Sequence, residues 1–71
     1  MAPEKLAYMA NQIAKFFETR DEDEAVSGIA EHLSKFWEPR MRRQFFELVE
    51  KEPDLFTPRV VLAAPQVRPV Q

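Results

Sequence analysis

One histidine, one glycine and no cysteine set narrow limits on the chemistry open to this sequence of 71 residues. His32 is the obvious candidate for a general acid, a base or a metal ligand. On a helix its neighbours four residues away are Gly28 and Phe36, neither of which can bind a metal or orient an imidazole. It therefore reads as a hydrogen-bonded residue at the edge of a buried face. A zinc site needs several Cys or His ligands, which the chain does not have. Ser27 and Ser34 have no triad context to make either a nucleophile. A single glycine cannot build a phosphate-cradling loop. The acidic run Asp21-Glu22-Asp23-Glu24 lacks the alternating ligand spacing and turn glycine of a calcium loop. It reads as a solvated loop that caps a helix. No catalytic, cofactor-binding or metal-binding residue is expected in this chain.

Lys35, Arg40, Arg42 and Arg43 form a basic cluster beside Phe36 and Trp37. A helix-turn-helix reader would place such arginines at the start of a recognition helix. The formal net charge of −2 and the glycine-free turn Glu38-Pro39 argue against nucleic acid. A rim that meets an acidic partner surface is the better reading of this cluster.

The elements that must carry these residues are helical. Pro3 suits the first position of a helix, with Glu4 at the positive end of its dipole. Leu6, Met9, Ala10, Ile13, Phe16 and Phe17 then recur at helical spacing, predicting a first helix to about Thr19. Thr19–Glu24 reads as a loop, and Asp21 with Glu24 fits a capping box. Val26, Ile29, Ala30, Leu33, Phe36 and Trp37 stripe a second helix that Pro39 ends, with Glu38 at the corner. Gly28 inside it predicts a close approach to its backbone, by helix 1 or by a partner. Pro39 opens a third helix striped by Met41, Phe45, Leu48 and Val49, which Pro53 stops by Glu52. Thr57-Pro58 predicts a short fourth helix through about Ala64. The expected fold is all-α: a small bundle of two antiparallel helices, a third crossing them, and a possible short fourth. Residues 1–64 form one domain on this reading, and 65–71 an extended or disordered tail.

At this size folding buries only about 60% of the surface exposed by the unfolded chain. With no disulfide or metal to help, a partner is the remaining stabilising device. Six phenylalanines, one tryptophan and one tyrosine exceed what three small helices can cover. Tyr8, Phe16 or Phe17, Trp37 and Phe46 cannot all face inward with the stripe residues, because adjacent aromatics sit about 100° apart on a helix. An aromatic patch rimmed by Arg40, Arg42 and Arg43 is expected, the composition of an interface hot spot. No apolar run approaches the ~20 residues of a membrane span. The start Met1-Ala2-Pro3-Glu4-Lys5 has no signal-peptide character, so a cytoplasmic location is expected.

Two segments resemble a known family. Lys5-Leu6-Ala7-Tyr8-Met9-Ala10-Asn11-Gln12-Ile13-Ala14-Lys15-Phe16-Phe17 is similar to the opening of the delta subunit of NAD-dependent formate dehydrogenase. Gly28-Ile29-Ala30-Glu31-His32-Leu33-Ser34-Lys35-Phe36-Trp37-Glu38-Pro39-Arg40-Met41-Arg42 is similar to its core string. The match spans most of residues 5–46, and nothing from Leu48 onward carries a motif of the family.

The resemblance implies a non-catalytic accessory subunit of a soluble, cytoplasmic enzyme complex. In that complex the alpha chain holds bis-molybdopterin guanine dinucleotide with molybdenum or tungsten, together with iron–sulfur clusters. The beta and gamma chains carry FMN, further clusters and the NAD site. The delta chain would bind the alpha chain and support its assembly, cofactor loading or stability. The residues expected to meet the partner are Tyr8, Asn11, Gln12, Phe17, His32, Phe36, Trp37, Pro39, Arg40, Met41, Arg42 and Phe46. Two alternatives stand beside this reading: a maturation chaperone that leaves the finished enzyme, and a small helical regulatory or nucleic-acid-binding protein.

Overall fold

Prolines and carboxylates set where the helices of this chain begin. In the computed structural model, which describes residues 1–70, α1 runs Pro3–Phe16, with Pro3 in its first turn after an extended Ala2. Beyond Phe16 the backbone tightens into i→i+3 turns: the Phe17 N–H donates to Ala14 O and the Arg20 N–H to Phe17 O. The helix therefore ends three residues before the Thr19 predicted from periodicity. Arg59, from the fourth helix, donates to the carbonyls of Phe17 and Arg20 at 3.3 and 3.0 Å, satisfying groups that a longer helix would have used itself.

Asp21 caps α2 (Glu22–Phe36), its Oδ1 accepting from the Glu24 N–H at 2.9 Å. Only half of the predicted capping box forms. The Glu24 carboxylate pairs with Arg20 at 2.8 Å instead of turning back to the cap. Glu38 caps α3 (Pro39–Lys51) by accepting from the Met41 N–H at 3.0 Å, so the corner residue also starts the next helix. A 3-10 turn, Pro53–Leu55, leads to α4 (Pro58–Ala63) and a second 3-10 turn, Ala64–Gln66. Thr57 has the extended backbone of an N-cap, but no side-chain cap bond forms. Among the described residues there is no strand, and no helix is long and apolar enough to cross a membrane.

The packing makes the short fourth helix central. The most extensive helix contact is between α2 and α4, while α1 touches α2, α3 and α4. Leu6, Ala10, Ile29, Leu33, Phe45, Val60 and Ala63 are sealed from solvent. Phe45 lies edge-on to both Trp37, at 5.9 Å, and Phe56, at 5.5 Å. The buried face of α1 is Leu6, Ala7, Ala10 and Ala14, with Met9 and Ile13 only partly covered. Three alanines let the neighbouring helices approach closely, and the centre of the stripe lies about one residue's rotation from the predicted one.

The segment after Ala64 is extended from Val67 onward, yet it is docked rather than loose. Val67 is buried, the Arg68 N–H donates to Ser34 Oγ at 2.8 Å, and Arg68 O accepts from Arg42 Nη1 at 2.7 Å. Packing thus runs three residues past the boundary expected at Ala64; of the predicted 65–71 tail, residue 71 lies outside the described residues. The Cα radius of gyration, 10.8 Å, agrees with the ~11 Å of a fully folded chain of this length. Cutting the chain after Ala64 should remove the Val67 burial and strip Arg42 of two carbonyl partners. A loss of about 3 kcal/mol is expected from these two effects. Urea unfolding of the full and cut chains measures it, and equal midpoints would mean that the tail contributes nothing to the fold.

Candidate partner-binding surface

Phe17 lies where α1 has just ended, and its ring falls on the backbone of Gly28 in α2. A Cβ placed on Gly28 would stand 2.5 Å from Phe17 Cε1. The predicted close approach to this glycine is therefore made by the end of α1. Around that contact the surface is aromatic. Phe16 crosses Phe17 edge-on at 5.4 Å, and His32 packs its ring on Phe36 at 4.8 Å. Gln12, Ile13, Phe16, Phe17 and His32 line one shallow depression. A second, lined by Phe17, Gly28, His32, Lys35 and Phe36 among others, adjoins it through Phe17 and His32.

Phe16 is 80% exposed, Phe36 71% and Tyr8 62%. Tyr8, Gln12 and Phe16 stand at i, i+4 and i+8, on one exposed face of α1. Gly28, His32 and Phe36 have the same spacing on α2. The two rows meet along the α1–α2 seam. Large rings gathered on an exposed face mark an interaction site on a soluble protein. Charge on this seam is slight: the Lys35–Glu31 pair, at 3.3 Å, is exposed and contributes little.

The residues expected to meet a partner divide into three groups. Gln12, Phe17, His32 and Phe36 come together on the α1–α2 seam, and Tyr8 is exposed one turn before Gln12 on α1. His32 holds its expected boundary position, but by packing on Phe36; among the described residues its ring makes no hydrogen bond. Pro39 and Arg40 are exposed and Met41 half-buried at the start of α3, a separate corner, and Phe46 lies two turns further along.

Three of the expected contacts are used inside the fold. Trp37 is only 5% exposed, because the chain turns extended after Phe36 and folds the indole onto Phe45. Arg42 is 8% exposed, its Nε donating to Trp37 O at 3.1 Å and its Nη1 to Arg68 O. Asn11 is half-buried: its Nδ2 donates to Leu55 O, and its Oδ1 accepts from the Thr57 N–H, both at 2.9 Å. The aromatic patch is consequently not rimmed by Arg40, Arg42 and Arg43 as expected. It lies on the α1–α2 seam instead.

Phe16, the most exposed aromatic ring, was missing from the expected set. Its spacing from Tyr8 and Gln12 was a visible signal, obscured because Phe16 also fits the Met9–Ile13 edge of the apolar stripe. Among the described residues no group of three or more His, Cys, Asp or Glu could hold a metal ion.

Residues 5–64 match the family model described as NADH-dependant formate dehydrogenase delta subunit FdsD, so the likeness extends past the residues 5–46 expected and takes in the stretch from Leu48 to Ala64. No curated protein and no solved structure matches the chain significantly.

The contact between Phe17 and Gly28 has a definite sign. Alanine in place of glycine would gain about 0.5–1 kcal/mol of helix propensity. Against that, its methyl would have to push the Phe17 ring off the seam. Gly28→Ala should destabilise the native chain by about 1–2 kcal/mol and stabilise a Phe17→Ala chain by about 0.5–1 kcal/mol. Urea unfolding of the four chains closes this cycle. Stabilisation in both backgrounds would show that the ring gives way freely.

Proposed function

We infer what this chain does from one premise: it belongs to the family of NADH-dependent formate dehydrogenase delta subunits. Its role in that enzyme is accessory. It docks on the catalytic alpha chain and supports that chain's assembly, cofactor loading or stability. The redox groups implied by the resemblance belong to the other chains: bis-molybdopterin guanine dinucleotide with molybdenum or tungsten, iron–sulfur clusters and FMN. This chain supplies a surface.

The observation that carries the docking reading is the aromatic seam. Phe16 and Phe36 stand largely in water on either side of the Phe17–Gly28 contact. Covering one phenylalanine ring is worth about 1.5–3 kcal/mol. Two rings buried together would therefore strengthen binding by several powers of ten, at 1.4 kcal/mol for each tenfold step. Tyr8 adds a third ring with a polar tip, which suits the edge of an interface. His32, held against Phe36, extends the same surface.

Trp37 separates this reading from one based on aromatic content alone. Phe16→Ala and Phe36→Ala should each weaken capture of the alpha chain by a tagged delta chain about 10- to 100-fold. Helical circular dichroism and the urea midpoint of the free chain should stay near their native values. Trp37→Ala should cost about 3–5 kcal/mol and lower the midpoint of the free chain itself. If both phenylalanine variants capture the alpha chain as the native chain does, the seam is not the docking surface. Capture of an alpha chain lacking its metal cofactor, with none from finished enzyme, would make this a maturation chaperone in place of a resident subunit.

A further inference from the structure

The docked tail brings a fourth arginine to the α2–α3 corner. Arg68 lies 26 residues beyond Arg42, yet its backbone is fixed there by the Ser34 hydroxyl on one side and the Arg42 guanidinium on the other. Pro39, Arg42, Arg43, Arg68, Pro69 and Val70 line a depression at this corner. Every ionisable side chain lining it is an arginine. Among the described residues, neither Arg43 nor Arg68 forms an ion pair or a side-chain hydrogen bond. Arg42 spends Nε and Nη1 on carbonyl oxygens. Its Nη2 has no partner among the described residues. Glu38, four residues before Arg42, has its carboxylate turned to the Met41 N–H as a helix cap, and Glu47, four residues after Arg43, forms no ion pair among the described residues.

We propose that this arginine-lined depression receives an acidic segment of the alpha chain, seating its carboxylates between Arg43 and Arg68 beside the pinned guanidinium of Arg42. This inference rests on the docking reading above and adds a second, electrostatic contact to it. Two features support a carboxylate-rich protein segment as the occupant. Planar guanidinium groups accept carboxylates through paired N–H donors, and one of the three is already held rigid by backbone carbonyls. The chain is also polarised. The acidic run Asp21–Glu24 and this corner lie at opposite ends of α2, whose 15 residues span about 22 Å at 1.5 Å each. An acidic partner segment is thus drawn to one end of the molecule and repelled from the other. A nucleic acid would meet the same repulsion over a larger footprint.

The test is binding of the tagged delta chain to purified alpha chain across a salt titration, for native and Arg43→Glu/Arg68→Glu chains. Both head groups lie outside the core bonding, and a native circular-dichroism spectrum and urea midpoint for the variant verify that the fold survives. The native chain should bind with an affinity that falls as salt rises. The double reversal should bind at least about 10-fold more weakly at low salt and show a flatter salt dependence. The variant Arg43→Gln/Arg68→Gln should fall between the two. Equal affinity and equal salt dependence for native and reversed chains would overturn the inference and leave the aromatic docking surface standing. Failure of the native chain to bind the alpha chain at all would overturn both. A free chain that captures RNA or DNA through these arginines, and loses it on reversal, would replace the acidic segment with a nucleic acid.

Discussion

The core of this protein is closed by α4, a helix of six residues that is far too short to persist alone. Everything else depends on holding that helix against α2. The apolar part is supplied by Val60 and Ala63, both sealed from solvent between the longer helices. The rest is done by side chains reaching for backbone. Asn11 binds one carbonyl and one N–H on either side of Phe56, which fixes the entry to α4 on the flank of α1. Arg59 ties α4 back to the turn that ends α1. Arg42 and Ser34 fasten the extended segment that leaves it. Each bond satisfies a backbone group that a chain of short elements would otherwise leave exposed. In a domain with no disulfide, these clasps do the work of a staple.

Much of this scaffold could be read in advance, because it rests on local chemistry. Proline at Pro3, Pro39 and Pro58 is compatible with a helix only in its first turn, and each opens one. Asp21 caps α2 because a carboxylate can accept from N–H groups that have no helical partner. Gly28 announced a close approach because glycine in a helix interior is otherwise a cost. What could not be read is long-range. Nothing local says that the amide of Asn11 will find Leu55 and Thr57, or that the guanidinium of Arg42 will meet Arg68. The aromatic pairs failed for a related reason. Phe36 is in phase with the buried stripe, but α2 ends there and the extended backbone at Trp37 turns the indole inward in its place. Periodicity predicts a face only while the helix lasts.

The strings that carry the family resemblance take on a different meaning in this light. Gly28 accommodates a ring, Trp37 fills the core beside Phe45, Pro39 starts α3 and Arg42 pins the tail. In the first segment, Asn11 and the alanines at positions 7, 10 and 14 face inward. These residues make the fold. Among the positions of the same strings left in water are Tyr8, Gln12, Phe16, Phe36 and Arg40. Polar and charged residues in a small domain are easily taken for recognition residues when their partners are distant in sequence. Asn11 and Arg42 show how a side chain that does little for a single helix can do a great deal between elements.

On the proposed reading, stability and docking are linked through the α1–α2 seam. The rings exposed there flank the Phe17–Gly28 contact, where the end of α1 is seated on α2 and where Arg59 fastens α4 to the turn that follows. A partner that covers Phe16 and Phe36 binds the folded chain and not the unfolded one. It therefore adds stability in proportion to the logarithm of its concentration over its dissociation constant, about 2.7 kcal/mol at one hundred times that constant. For a domain this small, such a gain is comparable with what the docked tail contributes. On the proposed docking reading, binding would also hold the Phe17–Gly28 contact closed and so reinforce the fold at the α1–α2 seam.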